Sequence, residues 1–307
     1  MRFTVETWDA GYGSPLDGGG LEETTEPVDV SVEVDANRWA PLDPEPSRAP
    51  PERILFLDGV RRIDARVWIS EGELVHSGVC ATVAAGVVEC AAGRARTVGC
   101  RVRRGLFTPA ASAAPIVCPH GTWEVFPVGA GTAEALYLGV HNRMTALEVE
   151  VSSELDGDLV IVDGPLRDRP TKGGMAGLVK THNVAYLPEQ AQGVLSRMEA
   201  GQRSPVFLIG GRFTRWSWYV RLPGPPAHPL SGVVRCELPG QGTVAASVER
   251  ANAVTVALPR FASEPHKDTR APQNLYPIAG LERDLRRRLG DAALLERALR
   301  RVAAQVG

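Results

Sequence analysis

Apolar residues along this chain repeat with two periods, and the change of period marks the elements. "RILFLD" (53–58) is apolar without interruption, as a strand buried on both faces would be. "RIDARVWIS" (62–70) alternates, with Ile63, Ala65, Val67 and Ile69 on one side. "ELVHSGVCATVAAGVVECAA" and "TVGCRVRRGLF" continue the β pattern, and their glycines suit turns and bulges. These segments predict an antiparallel meander over residues 53–105.

Residues 131–155 switch to helical spacing. Leu136, Tyr137, Val140, Met144, Leu147, Val151 and Leu155 share one arc. "LEVEV" alternates and offers a strand instead, but the longer window favours the helix. "DLVIVDG" (158–164) then reads as a second buried strand, parallel and reached through that helix. "PLRDRPTKGGMAGLVKTHNVAYLP" reads as a Gly-rich basic loop and "EQAQGVLSRMEAG" as a helix. "SPVFLIGG", "FTRWSWYVRLP" and "SGVVRCELP" read as further strands, and "HKDTRAPQNLYP" as an irregular loop. Two helices close the chain, with Pro277 at the entry to the first and Gly290 at its end. The expected class is α/β, a mixed sheet with flanking helices.

Residues 1–52 differ in composition. They carry short β-like runs, "RFTVETW" and "VDVSVEV", and a Pro-rich stretch, "WAPLDPEPSRAPPE". Residues 1–50 hold eleven acids and three arginines, whereas the whole chain has a net charge of only −2. An acidic, loosely attached arm followed by one domain over 53–307 is the expected organisation. The modestly basic body is weakly compatible with nucleic acid, and solvated charge is the commoner explanation of such a balance.

The five cysteines contain no CxxC pair, which argues against zinc and against a disulfide framework. No apolar run reaches the roughly 18 residues of a membrane span, and the start carries no signal-peptide pattern. A soluble cytoplasmic protein is expected. The Gly-rich Lys-Ser/Thr signature of a P-loop is absent, so ATP hydrolysis would have to come from elsewhere.

The chemistry sits in two repeated endings. "ILFLDG" and "LVIVDG" each place an Asp-Gly after an apolar strand. A strand end at a sheet edge is where open α/β folds bind ligands, and glycine there permits a tight turn. If the strands are neighbours, Asp58 and Asp163 converge, and a divalent cation would relieve their repulsion. The plainer reading is that each Asp caps its own turn. On the intervening helix Glu148 falls inside the apolar arc, whereas Glu150 falls outside it. A buried Glu needs a partner or a metal, so Glu148 is a third candidate ligand, unless it snorkels at the edge. Oxygen-only ligation favours Mg²⁺ or Mn²⁺. Lys180 in "GLVKTH" could hold a scissile phosphate or lie plainly on the surface. Arg61, Arg62, Arg167, Arg169 and Lys172 add nearby cations. Arg215, Trp216 and Trp218, in "RWSW", could contact a nucleic-acid strand by stacking and charge, or simply form core.

With these residues in place, the chain resembles the NurA family of DNA-repair nucleases. The resemblance is carried by "ILFLDGVRRIDARVWI", "LVIVDGPL", "GLVKTHNVAYLP", "GQRSPVFLIG", "WSWYVRLP" and "HKDTRAPQNLYPIAGLERDLRRRLGD", which together span most of residues 53–300. It implies an RNase H-like fold and a Mn²⁺-dependent nuclease acting on DNA ends. It also implies a homodimer working with a hexameric HerA-type translocase. Under the resemblance Asp58 and Asp163 match the strand ligands and Glu148 the helix ligand, with Glu150 as the alternate. A further site residue, often His or Asp, is expected near the Tyr-Pro helix. This chain has no His there, and Asp284 or Glu282 takes that place. A catalytically silent binding module of the same fold, or a small-nucleotide phosphohydrolase, are the rival readings.

Overall fold

Gly72 and Gly93 both adopt positive φ, at 63° and 72°, and each sits in the turn of a long hairpin. The computed structural model describes residues 22–45, 49, 51–153, 157–166, 174–182, 184–225 and 229–306. In chain order the strands are β1 (Glu22–Glu23), β2 (Val28–Asp29), β3 (Ile54–Glu71), β4 (Leu74–Ala91), β5 (Arg94–Thr108), β6 (Ile116–Cys118) and β7 (Gly121–Pro127). After helix α1 (Ala133–Ser153) come β8 (Leu159–Asp163), β9 (Met175–Val179) and β10 (Val184–Ala185). Helix α2 (Glu189–Arg197) precedes β11 (Phe207–Ile209), β12 (Arg215–Arg221) and β13 (Val233–Pro239). Helices α3 (Val244–Ala257), α4 (Tyr276–Arg288) and α5 (Ala292–Val306) follow.

The chain divides into two units, one of residues 1–56, 89–95 and 157–279, the other of 57–88, 96–156 and 280–307. Both are mixed α/β. In the first unit the strands run in the order β2-β11-β12-β13-β9-β8. Only β8 and β9 pair in parallel among the pairs β2-β11, β11-β12, β12-β13, β13-β9 and β8-β9. Successive residues of β12 point to opposite faces. Tyr219 packs with α2 residues Ala191 and Val194 and with Trp39, while the Trp218 indole donates to Thr255 of α3 at 3.1 Å. The two helices therefore cover opposite faces.

The second unit repeats this logic on β3-β4-β5-β7-β6. Leu106 joins Cys80, Trp123 and the α5 residues Leu295 and Leu299 on one face. Phe107, the next residue, lies against Gly139 of α1, where an added Cβ would stand 3.2 Å from its ring. Leu281 and Leu285 of α4 press on Gly86 of β4.

The meander and the two closing helices form as expected, and the helix expected over 131–155 is α1, Ala133–Ser153, with 154–155 outside the described residues. Three readings change. Asp58-Gly59 does not end a strand, because β3 runs through it for 18 residues. "MAGLV" is not loop but the fully buried strand β9, whose small residues let it pair with β8. Helix α3, entered through Thr243 capping the Ala246 amide, had no counterpart in the sequence reading.

The N-terminal segment is also not loosely attached where it is described. Glu33 takes the buried Arg203 guanidinium at 2.7 and 2.9 Å, Glu26 takes Arg215 at 2.6 and 3.0 Å, and Trp39 is buried. The acidic residues read as solvated charge thus include two that clamp the segment to the first unit. "RFTVETW" lies outside the described residues.

Candidate metal and nucleic-acid site

Asp163 ends β8, in register with Leu178 of the parallel β9. Two residues past Leu178, Lys180 turns its ammonium onto Asp163 Oδ2 at 2.7 Å, with the lysine side chain only 6% exposed. Asp163 Oδ1 is buried and has no hydrogen-bond partner among the described residues. A carboxylate oxygen left in that state costs about 1–3 kcal/mol or more unless something fills its lone pairs. Gly164 follows at φ 101° and donates its amide to Leu178 O at 2.8 Å. That conformation turns the chain sharply after the carboxylate.

The loop after Asp163 is held by Glu237, which the sequence reading passed over. Glu237 of β13 is fully buried. Its Oε2 accepts the Leu166 amide at 2.9 Å, and Oε1 takes Arg235 at 2.6 Å and Arg215 at 3.1 Å. An acid inside "VVRCELP", at the position of a buried strand, was the available signal. Gly177 of β9, opposite Glu237, leaves the room: a Cβ there would lie 2.9 Å from Gly164 O.

In the second unit Asp58 is buried and its Oδ1 accepts the Gly59 amide at 2.7 Å. Glu148 of α1 is 2% exposed, as its place in the apolar arc requires. Its carboxylate lies over Gly59: a Cβ on that glycine would stand 2.4 Å from Glu148 Oε1 and 2.9 Å from Met144 Cγ. Glu150 faces outward and pairs with Arg143 at 2.9 Å. The helix therefore separates the two glutamates as the wheel predicted.

The remaining expected residues are engaged elsewhere. Asp284 is half-buried and paired with Arg288 one turn on, at 3.0 Å, and Glu282 likewise holds Arg286. Arg62 binds Asp64 and donates to the Leu289 and Gly290 carbonyls, closing the C-terminus of α4. Arg61 stacks over the Tyr137 ring at 4.5 Å, hydrogen-bonds its hydroxyl, and reaches His141 at 3.2 Å. Trp218 is 0% exposed and Trp216 is buried, so neither can stack on a base. Arg215 lies between Glu26 and Glu237. Burial works against its charge, but the hydrogen bonds and charges of those two acids outweigh it and raise its pKa. The "RWSW" strand is core, as its alternative reading had it. Arg167, Arg169 and Lys172 lie outside the described residues.

Among the described residues no three His, Cys, Asp or Glu side chains stand ready as a metal cage. What fits a divalent cation is the donor chemistry: oxygen-only side chains, with one buried oxygen of Asp163 unpartnered among the described residues. All five cysteines are free, and burial pushes the thiols of Cys80 and Cys90 up to about 12 and about 11. Among the described residues no helix is long and apolar enough to cross a membrane.

No family model matches the chain, and no curated protein matches it. Among solved structures it is similar to the NurA nuclease from Sulfolobus solfataricus, with 12% identity over 83% of this chain and 86% of that one, at a TM-score of 0.47. It is also similar to an endonuclease V from Bacillus subtilis, with 8% identity over 78% and 84% of the two chains and a TM-score of 0.32. The catalytic domain of human endonuclease V shares 14% identity over 88% and 89%, at a TM-score of 0.30. Similarities this distant establish neither a family nor an activity for the chain.

Proposed function

We propose that this protein is a divalent-metal-dependent DNA nuclease of RNase H-like architecture, cutting phosphodiesters in DNA end processing. Asp58, Glu148 and Asp163 are its proposed cation ligands, with Mn²⁺ or Mg²⁺ as the ion. The observation that carries the reading is Asp163, with one oxygen held by a buried lysine and the other buried without a hydrogen-bond partner among the described residues. A divalent ion at such carboxylates supplies water activation and charge for a leaving oxygen. Within the chain, Lys180 brings a fixed positive charge beside Asp163, suited to hold a phosphate oxygen. Arg61, stacked at the start of α1, is the remaining proposed contact to the DNA backbone. Asp284, unlike Asp163, has no buried unpartnered oxygen among the described residues, and it is left out of the ligand set. By the sequence resemblance, a homodimer and a HerA-type translocase partner are proposed with it.

A second reading is a catalytically silent DNA- or ATPase-binding module. It is favoured by the Lys180–Asp163 ion pair, which already neutralises one proposed ligand. Labelled single- and double-stranded DNA incubated with Mn²⁺, then with EDTA, separates the two. Shortening that EDTA and Asp163→Ala abolish, while circular dichroism shows the variant still folded, is the expected result. DNA binding with no shortening under any divalent ion would establish the module instead.

A further inference from the structure

Asn274 is completely buried, in the segment between Glu264 and the start of α4. Its Oδ1 accepts from Lys180 Nζ at 3.0 Å, and its Nδ2 donates to Asp268 Oδ2 at 2.7 Å. The orientation of the amide follows from its partners. A carboxylate only accepts, so it must face the NH₂, and the ammonium only donates, so it must face the carbonyl. Asp268 is itself immobilised: its Oδ1 accepts the Arg270 amide at 2.8 Å and its own amide donates to Glu264 O at 3.1 Å. The Asn274 amide closes the loop onto Arg270 O at 3.0 Å.

An ammonium is a rotatable head on a flexible stem, and a single acceptor does not fix it. Here it is gripped between a carboxylate and an amide whose own direction is set from behind. We infer that Asn274 is a positioning residue: it keeps the Lys180 ammonium on Oδ2 of Asp163, so that Oδ1 stays the oxygen of that carboxylate with no partner among the described residues. The inference rests on the reading of Asp163 as a cation ligand. Asp268 acts one step further back, by holding the amide.

The test needs a readout that does not depend on cleavage. Reductive methylation followed by mass spectrometry reports how accessible the Lys180 amine is, with exposed Lys267 as internal reference. In Asn274→Leu, Lys180 should label faster than in wild type by about tenfold, the scale of one hydrogen bond to a charged group, while Lys267 is unchanged. The Mn²⁺ concentration for half-maximal binding should rise by about tenfold or more. In a Lys180→Met background, Asn274→Leu should shift Mn²⁺ binding no further. Equal Lys180 labelling in wild type and Asn274→Leu overturns the inference, as does an equal Mn²⁺ shift with and without Lys180. If Asn274→Leu fails to fold, Asp268→Asn replaces it: accelerated Lys180 labelling supports the relay, and unchanged labelling overturns it. A wild-type protein that binds Mn²⁺ but cuts no DNA removes the nuclease reading and leaves these measurements intact.

Discussion

Asp58-Gly59 and Asp163-Gly164 are the same dipeptide after the same kind of apolar run, yet their glycines serve different ends. Gly164 adopts φ 101°, and among the described residues nothing stands where a side chain would be, so its value is conformational. Gly59 sits in the middle of a continuous strand, where any side chain would collide with Glu148. Its value is steric: it is the absence of a Cβ that lets a buried carboxylate lie on the sheet. A dipeptide thus marks a place where backbone or space is constrained, and does not say which.

The largest expected effect tests whether the two aspartates share a role at all. Asp163→Ala and Asp58→Ala should each lower Mn²⁺-dependent cleavage by more than about 100-fold, beyond the range for outer-shell partners of a metal. A variant that retains cleavage within severalfold would take that residue out of the ligand set. Next comes Gly59→Ala, which overpacks a filled site and should destabilise by about 1–3 kcal/mol in denaturant titration. Adding Glu148→Asp, which withdraws the colliding oxygens, should restore part of that loss. No recovery would break the steric account. Gly164→Ala should destabilise by about 1 kcal/mol or somewhat more, from backbone strain alone, and shortening neighbouring side chains should not relieve it. The smallest effect belongs to Asp284→Asn. It breaks a surface ion pair worth about 0.3–0.5 kcal/mol and should leave cleavage within about twofold. A large loss of cleavage there would restore Asp284 as a ligand.

The same contrast explains what could be read in advance. Glu148 was legible because a helix has a fixed period, and an acid on the apolar arc is a local anomaly in the sequence. The hairpin strands were legible for the same reason. Trp216 and Trp218 were ambiguous: alternation placed them on one face, but the sequence carries no mark of what covers that face. Helix α3, through Thr255, covers it. Asn274 was passed over because nothing local sets it apart, and Glu237 because an acid in an apolar strand does not by itself say what it binds. Their importance comes from partners such as Lys180 and Leu166, 94 and 71 positions away.

By itself the sequence determined the class of the chain: alternating and continuous apolar runs, one amphipathic helix carrying a buried acid, two basic closing helices. These follow from periods of two and 3.6 residues, which short-range stereochemistry imposes. Tertiary structure alone decided that β9 is a strand, that the acidic arm is clamped by Arg203 and Arg215, and that Lys180 spends its charge on Asp163. Each depends on the desolvation of a polar group by segments distant in sequence, and no local pattern encodes that.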